Sequence, residues 1–225
     1  PAVSPYTPLA SAFVLFPSVS IRYYELLDRQ EVIMNSRNLS GWFLIVGPIA
    51  IFSAFLGWPN VETAQEELAA LAKNPSTSIA VMGVFITGIT LLFTGLSISS
   101  RIVEEGATRW SSLTAVSGIL FPLSIAVMLT SVGLNFGAVR LYETSVDNAN
   151  SIYLIGYHIT DVIGLTMGIS FVSLSIALLG RYEDLLRRAI GLLYLIIGSC
   201  HLIDVFVEST ILGIVAWIGM FIVSI

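Results

Sequence analysis

Long apolar runs separated by short polar connections dominate the chain. A helix needs about 20 predominantly apolar residues to cross roughly 30 Å of hydrocarbon. On this criterion the pattern predicts six membrane-spanning helices, at about 41–58, 78–98, 110–134, 152–179, 189–208 and 211–225. The sixth run is short for a complete span, because its 15 residues rise only about 22 Å as a helix.

The predicted fold class is therefore all-α, a polytopic transmembrane helical bundle that occupies residues 34–225 as a single domain. Residues 1–33 contain no complete span. We expect them to form a cytoplasmic tail, with an amphipathic helix around residues 21–33.

A second short amphipathic helix is predicted in the connection between the first two spans. Its apolar residues recur at helical spacing, at Val61, Ala64, Leu68 and Leu71. Asn60 is expected to cap this helix and Pro75 to stop it. Its polar face is acidic, which argues against docking on anionic lipid and favours a lid over the outer ends of the bundle.

Composition supports the membrane interpretation. The chain is 56% hydrophobic and 11% charged, whereas soluble domains carry about 25% charged residues. These values exclude a soluble globular enzyme and a disordered chain. The net charge is -5 and no basic stripe is present, which excludes a nucleic-acid binder. The predicted partner is thus a lipid bilayer, with a homo-oligomer or the other subunits of a membrane complex as further partners.

The basic residues predict an orientation when the connections are assigned alternately to two sides. Lys73 and Arg140 fall on one side. The eight others fall on the side of the N-terminus: Arg22, Arg29, Arg37, Arg101, Arg109, Arg181, Arg187 and Arg188. The positive-inside rule then places the N-terminus in the cytoplasm of a multi-pass protein of the cell membrane.

Candidate chemistry is confined to the fourth and fifth spans, because the first three contain no Asp, Glu, His, Lys or Arg. Both histidines of the chain occur in the same H-x-x-D spacing, which puts each pair on one helix face. The candidate residues are His158, Asp161, His201, Asp204 and Glu208. At 1.5 Å per residue, all five are expected to converge near the outer interface.

Three interpretations of these residues remain open. They could tie two helices together or lie in hydrated headgroups, they could form a proton or cation path, or they could bind a metal. Two histidines and two carboxylates would suffice for one Zn- or Mn-like divalent ion, held by His158, Asp161, His201 and Asp204. A di-metal site is disfavoured, because the first three spans offer no further carboxylate.

The sequence thus predicts a multi-pass membrane protein that handles a small solute or an ion, a proton or other cation, through this cluster. The alternatives are an accessory or structural subunit of a membrane complex, and a membrane metalloenzyme. No Walker loop, G-x-S-x-G elbow or H-E-x-x-H motif indicates an enzyme. The small-residue motifs Gly133-x-x-x-Gly137 and Gly164-x-x-x-Gly168 predict close helix packing.

Overall fold

The structure is a computed structural model, and it describes the backbone of residues 17–104, 110–207 and 210–224. Within these ranges, side chains are described for residues 35–104, 110–207 and 211–223. The chain forms two compact units, Pro1–Asn38 and Leu39–Ile225. In the first unit the described backbone is helical from Pro17 onward, and the predicted amphipathic face of the tail lies outside the described side chains.

The described residues form seven α-helices and no strand. The helices are α1 (Pro17–Leu56), α2 (Ala64–Ala72), α3 (Pro75–Glu104), α4 (Ser111–Leu141), α5 (Val146–Arg181), α6 (Leu185–Val207) and α7 (Thr210–Ser224). Pro48 and Pro122 lie inside α1 and α4. A membrane helix tolerates proline when neighbouring groups satisfy the freed carbonyl.

Five of these segments are long and apolar enough to cross a membrane, namely Asn35–Leu56 in α1 and the helices α3, α4, α5 and α6. They coincide with the first five predicted spans, although most extend further at one or both ends. The sixth predicted span is helical as α7, but its apolar stretch Ile211–Val223 is shorter than the other five. The fold is therefore all-helical with five long apolar helices, which indicates a multi-pass membrane protein.

The outer surface of the bundle is rich in large apolar side chains, unlike the surface of a water-soluble bundle. Apart from His201 and the tyrosines Tyr153 and Tyr194, every buried polar side chain among the described residues is a serine or a threonine. Large apolar side chains fill the core and also cover the outside, as in Trp42, Ile119, Leu185 and Phe206. Lipid is the solvent that accepts such an exterior, because exposed apolar patches of this extent are rare on soluble monomers.

Serine hydroxyls join α4 to α5 at intervals of seven residues. Ser117 Oγ donates to the carbonyl oxygen of Ser170 at 2.9 Å, and Ser131 Oγ donates to that of Gly156 at 2.7 Å. Between them, the hydroxyls of Ser124 and Thr166 lie 2.8 Å apart. These small side chains let the two helices approach closely while each hydroxyl remains satisfied.

Glycines set the crossing of α5 with α6. A Cβ added at Gly198 would lie 2.8 Å from the Gly168 carbonyl oxygen, and Gly164 packs against the side chain of Val205. The motif Gly164-x-x-x-Gly168 therefore marks a helix contact, as expected. Gly133 and Gly137 have no neighbouring atom within 4 Å of an added Cβ, so this second motif lies on an open face of α4.

The predicted lid helix is present as α2, with different ends. Thr63 caps it by accepting a hydrogen bond from the Glu66 amide at 3.2 Å, so the predicted cap at Asn60 is wrong. Pro75 begins α3, because a proline suits the first turn of a helix. Leu68 and Leu71 are buried, and α2 contacts α3, α4 and α5.

Candidate functional site

A cavity of about 740 Å³ lies within the second unit, and every helix from α1 to α7 contributes to its wall. One part of the cavity wall is α2, which lies in the connection between α1 and α3. The other contributions come from the C-terminal half of α4, the N-terminal half of α5, the last turns of α6 and the first turns of α7. The cavity thus occupies one end of the bundle, the end at which the ionisable residues were expected to meet.

Four of the five sequence-predicted residues line this cavity: His158, Asp161, His201 and Asp204. Glu208 lies outside the described residues. The structure therefore brings the two H-x-x-D pairs to one space. Among the described residues, however, no hydrogen bond or ion pair joins one pair to the other.

The pair on α5 occupies the exposed part of the cavity wall. His158 Nδ1 lies 3.6 Å from Asp161 Oδ2, and the two side chains are 71% and 60% exposed. Because residues with this exposure line the cavity, the cavity is open to the surface of the bundle at this position. The Tyr157 ring stands edge-on to the imidazole of His158, 5.8 Å away between centroids.

The histidine on α6 is buried instead. His201 is 5% exposed, and its imidazole stacks on Phe171 with an interplanar angle of 10°. The Trp217 ring of α7 meets the same imidazole edge-on, 6.2 Å away between ring centroids. The Nε2 atom of His201 is buried and makes no hydrogen bond to any described group. Burying such an atom without a partner costs about 1–3 kcal/mol.

Asp204 lies against the first turns of α7. A Cβ added at Gly213 would lie 3.2 Å from Asp204 Oδ2, so the carboxylate occupies space that a side chain at position 213 would take. Gly213 comes three residues after Thr210, where α7 begins. A carboxylate near a helix N-terminus is favoured by the helix dipole.

Glu67 of α2 is a further acidic residue of the wall that the sequence analysis did not select. The indole Nε1 of Trp58 donates a hydrogen bond to Glu67 Oε1, and the Tyr153 phenol interacts with the same carboxylate. The sequence did contain a signal, because Glu67 lies four residues before buried Leu71 and hence on the packed face of α2.

The wall of the cavity has one sign of charge. Its acidic side chains are the carboxylates of Glu67, Asp161 and Asp204, which share the wall with two imidazoles and two tyrosine phenols, and none of the described lining residues is a lysine or an arginine. Asn135 adds an amide oxygen that is buried without a hydrogen-bond partner. Carboxylate, amide and imidazole acceptors facing one space make it attractive to a cation.

The described residues contain no group of three or more His, Cys, Asp or Glu side chains arranged to hold a metal ion. The metal-binding and metalloenzyme hypotheses therefore gain no support from this part of the chain. Comparisons with protein families, with curated proteins and with solved structures found no match. The class of protein is thus set by the fold and the cavity: an all-helical, multi-pass membrane protein with an acidic cavity at one end.

Proposed function

We propose that the protein binds a cation or a small cationic solute in this cavity and carries it into or across the membrane. The observation that supports the proposal is the charge of the wall, with three carboxylates, two imidazoles and no lysine or arginine among its described residues. Ionisable groups at membrane depth are expensive and usually mark solute or ion pathways. In a low-dielectric wall their attraction for a cation is much stronger than in water.

The route that we propose starts at the exposed pair on α5. Asp161 would attract the cation from solvent, because its carboxylate is the exposed acid of the wall. Asp204 and Glu67 would then hold the cation, while the buried His201 and Asn135 offer Nε2 and an amide oxygen as hydrogen-bonding partners.

We further propose that the N-terminus is cytoplasmic, which places the cavity and α2 at the outer side of the cell membrane. In a Cys200→Ala background, a membrane-impermeant maleimide should label Glu66→Cys in intact cells and label Glu104→Cys only after lysis. The physical reason is the eight-to-two distribution of basic residues. If Glu104→Cys is labelled in intact cells and Glu66→Cys only after lysis, the proposed orientation is wrong. The proposal of cation binding in the cavity does not depend on this result.

Transport by purified protein in liposomes tests the proposal. We expect uptake of H⁺, K⁺ or an organic ammonium ion, driven by a potential that is negative inside, at a rate above that of protein-free liposomes. Asp161→Asn and Asp204→Asn should each lower that rate at least about tenfold, since a lost charge interaction of about 1.4 kcal/mol has this effect.

Glu183→Gln is the matched control for these variants, because Glu183 is an exposed carboxylate outside the cavity. Its uptake should equal that of the unmodified protein. If the purified protein moves none of these cations, or if all three variants behave alike, the proposal is wrong. An accessory subunit would give the first of these results, so the assay also separates that hypothesis from ours.

A further inference from the structure

We infer that the ligand of the cavity is a protonated organic amine, rather than a bare metal ion or a proton alone. This inference rests on the proposed function and specifies the class of cation. It combines three observations on the cavity that are independent of its charge, namely its volume, its aromatic wall and a buried histidine nitrogen without a partner.

The volume favours an organic solute. Cavities for small organic ligands measure about 300–1,000 Å³, and the cavity here measures about 740 Å³. A water molecule takes about 30 Å³ of liquid, so this space greatly exceeds the need of one dehydrated ion. A site for a bare metal ion would also require convergent ligands, and the described residues contain no such group.

Aromatic rings form a large part of the wall. Phe85 contacts Phe55 at 5.6 Å and Trp58 at 5.7 Å between ring centroids, and all three rings line the cavity. Trp217 contributes a further ring from α7. Aromatic faces attract organic ammonium ions through their quadrupoles and also bury the attached carbon atoms.

Trp58 and Glu67 place an aromatic ring directly beside a carboxylate. The indole N–H donates to Glu67, which fixes the ring and the acid relative to each other. A small hydrated cation gains little from an aromatic neighbour that cannot coordinate it. A protonated amine is stabilised by both the ring and the carboxylate, because its N–H groups bond to the carboxylate while its carbon atoms contact the ring.

His201 supplies the third observation. Its imidazole is 5% exposed, it lines the cavity, and Nε2 has no hydrogen-bond partner among the described groups. The stacked ring of Phe171 and the edge-on ring of Trp217 hold the imidazole in place. A ligand that presents an N–H or O–H group would satisfy this atom, and a protonated amine carries such a group.

Binding of 2-phenylethylammonium to the purified protein tests the inference, with 2-phenylethanol as the neutral analogue of similar size. We expect saturable binding of the amine, seen as a change in tryptophan fluorescence that Trp217→Phe reduces. The alcohol should bind at least about tenfold more weakly, because it lacks the charge. Glu67→Gln and Asp204→Asn should weaken binding of the amine by a similar factor and leave that of the alcohol unchanged.

Trp42→Phe and Glu183→Gln serve as matched controls outside the cavity, and both should bind the amine normally. Should Glu67→Gln fail to fold, Asp161→Asn replaces it, because the Asp161 side chain is largely exposed and its loss leaves the core intact.

Equal affinity for amine and alcohol would overturn the inference. If K⁺ or H⁺ still crosses in a manner that needs Asp204, but the amine neither binds nor competes, only this inference fails. If neither transport nor binding occurs, the proposed function fails with it.

Discussion

Gly198→Leu is expected to destabilise the bundle severely, because it forces a side chain into a contact between two helix backbones. A Cβ at this position would lie 2.8 Å from the Gly168 carbonyl oxygen and 2.9 Å from the Val172 amide nitrogen. Both atoms belong to the α5 backbone, so neither can turn away as a flexible side chain could. The helices α5 and α6 would have to separate, which would also break the 2.7 Å hydrogen bond from Ser175 Oγ to the Gly191 carbonyl oxygen.

We expect a loss of about 3 kcal/mol or more in the free energy of unfolding, since overpacking of a close contact usually costs 1–3 kcal/mol and a backbone clash relaxes poorly. Thermal or denaturant unfolding of the purified protein measures it. Gly133→Leu is the matched control, because an added Cβ there meets no atom within 4 Å. Leucine favours a helix by about 1 kcal/mol over glycine, so the control should be neutral or stabilising. Equal losses in the two variants would mean that the Gly168–Gly198 contact does not hold α5 against α6.

The long elements of the fold could be predicted from the sequence because lipid imposes a simple rule on length and polarity. The five apolar helices follow from runs of apolar residues that match the thickness of a bilayer. The ends were less predictable. α5 begins at Val146, six residues before the predicted start, and this longer helix contacts α2.

The convergence of four of the five candidate residues, His158, Asp161, His201 and Asp204, on one cavity could be predicted from helical rise alone. Asp161 and Asp204 are distant in sequence, but two antiparallel neighbours of known length bring them to the same level. The different environments of the two histidines could not be predicted from the sequence. His158 is exposed and His201 is buried, although both occur in the same spacing, because rotation about the helix axis is set by packing at contacts such as Gly168 with Gly198.

The contribution of α2 to the cavity was missed for a related reason. The sequence predicted an amphipathic helix with an acidic polar face over the outer ends of the bundle, and it did not single out any one glutamate. Glu67 lies instead on the packed side, where Trp58 and Tyr153 meet it. Only the tertiary arrangement places the polar groups of these two partners on one carboxylate.

Leu68→Asp is expected to detach α2 from the cavity while the long helices remain folded. Leu68 is fully buried, and Leu71 beside it is nearly so. Truncating a buried leucine typically costs about 2–5 kcal/mol, and an unpaired buried carboxylate costs more. The contacts of α2 with the rest of the bundle are few compared with those among α3, α4, α5 and α6. Undocking α2 is therefore the least costly way for the protein to hydrate the new charge.

Hydrogen exchange provides the direct measurement. Amides of Glu67–Ala72 should exchange at least about tenfold faster in the variant, which corresponds to about 1.4 kcal/mol or more of lost docking free energy, while amides in the middle of α5 should remain protected. Binding of 2-phenylethylammonium should weaken as well, because Glu67 would leave the wall together with α2. Gln65→Asp adds the same charge on the exposed side of α2 and should change neither measurement. Loss of protection throughout α5 would show instead that α2 is required for the stability of the whole bundle, and unchanged exchange in α2 would show that Leu68 does not anchor it.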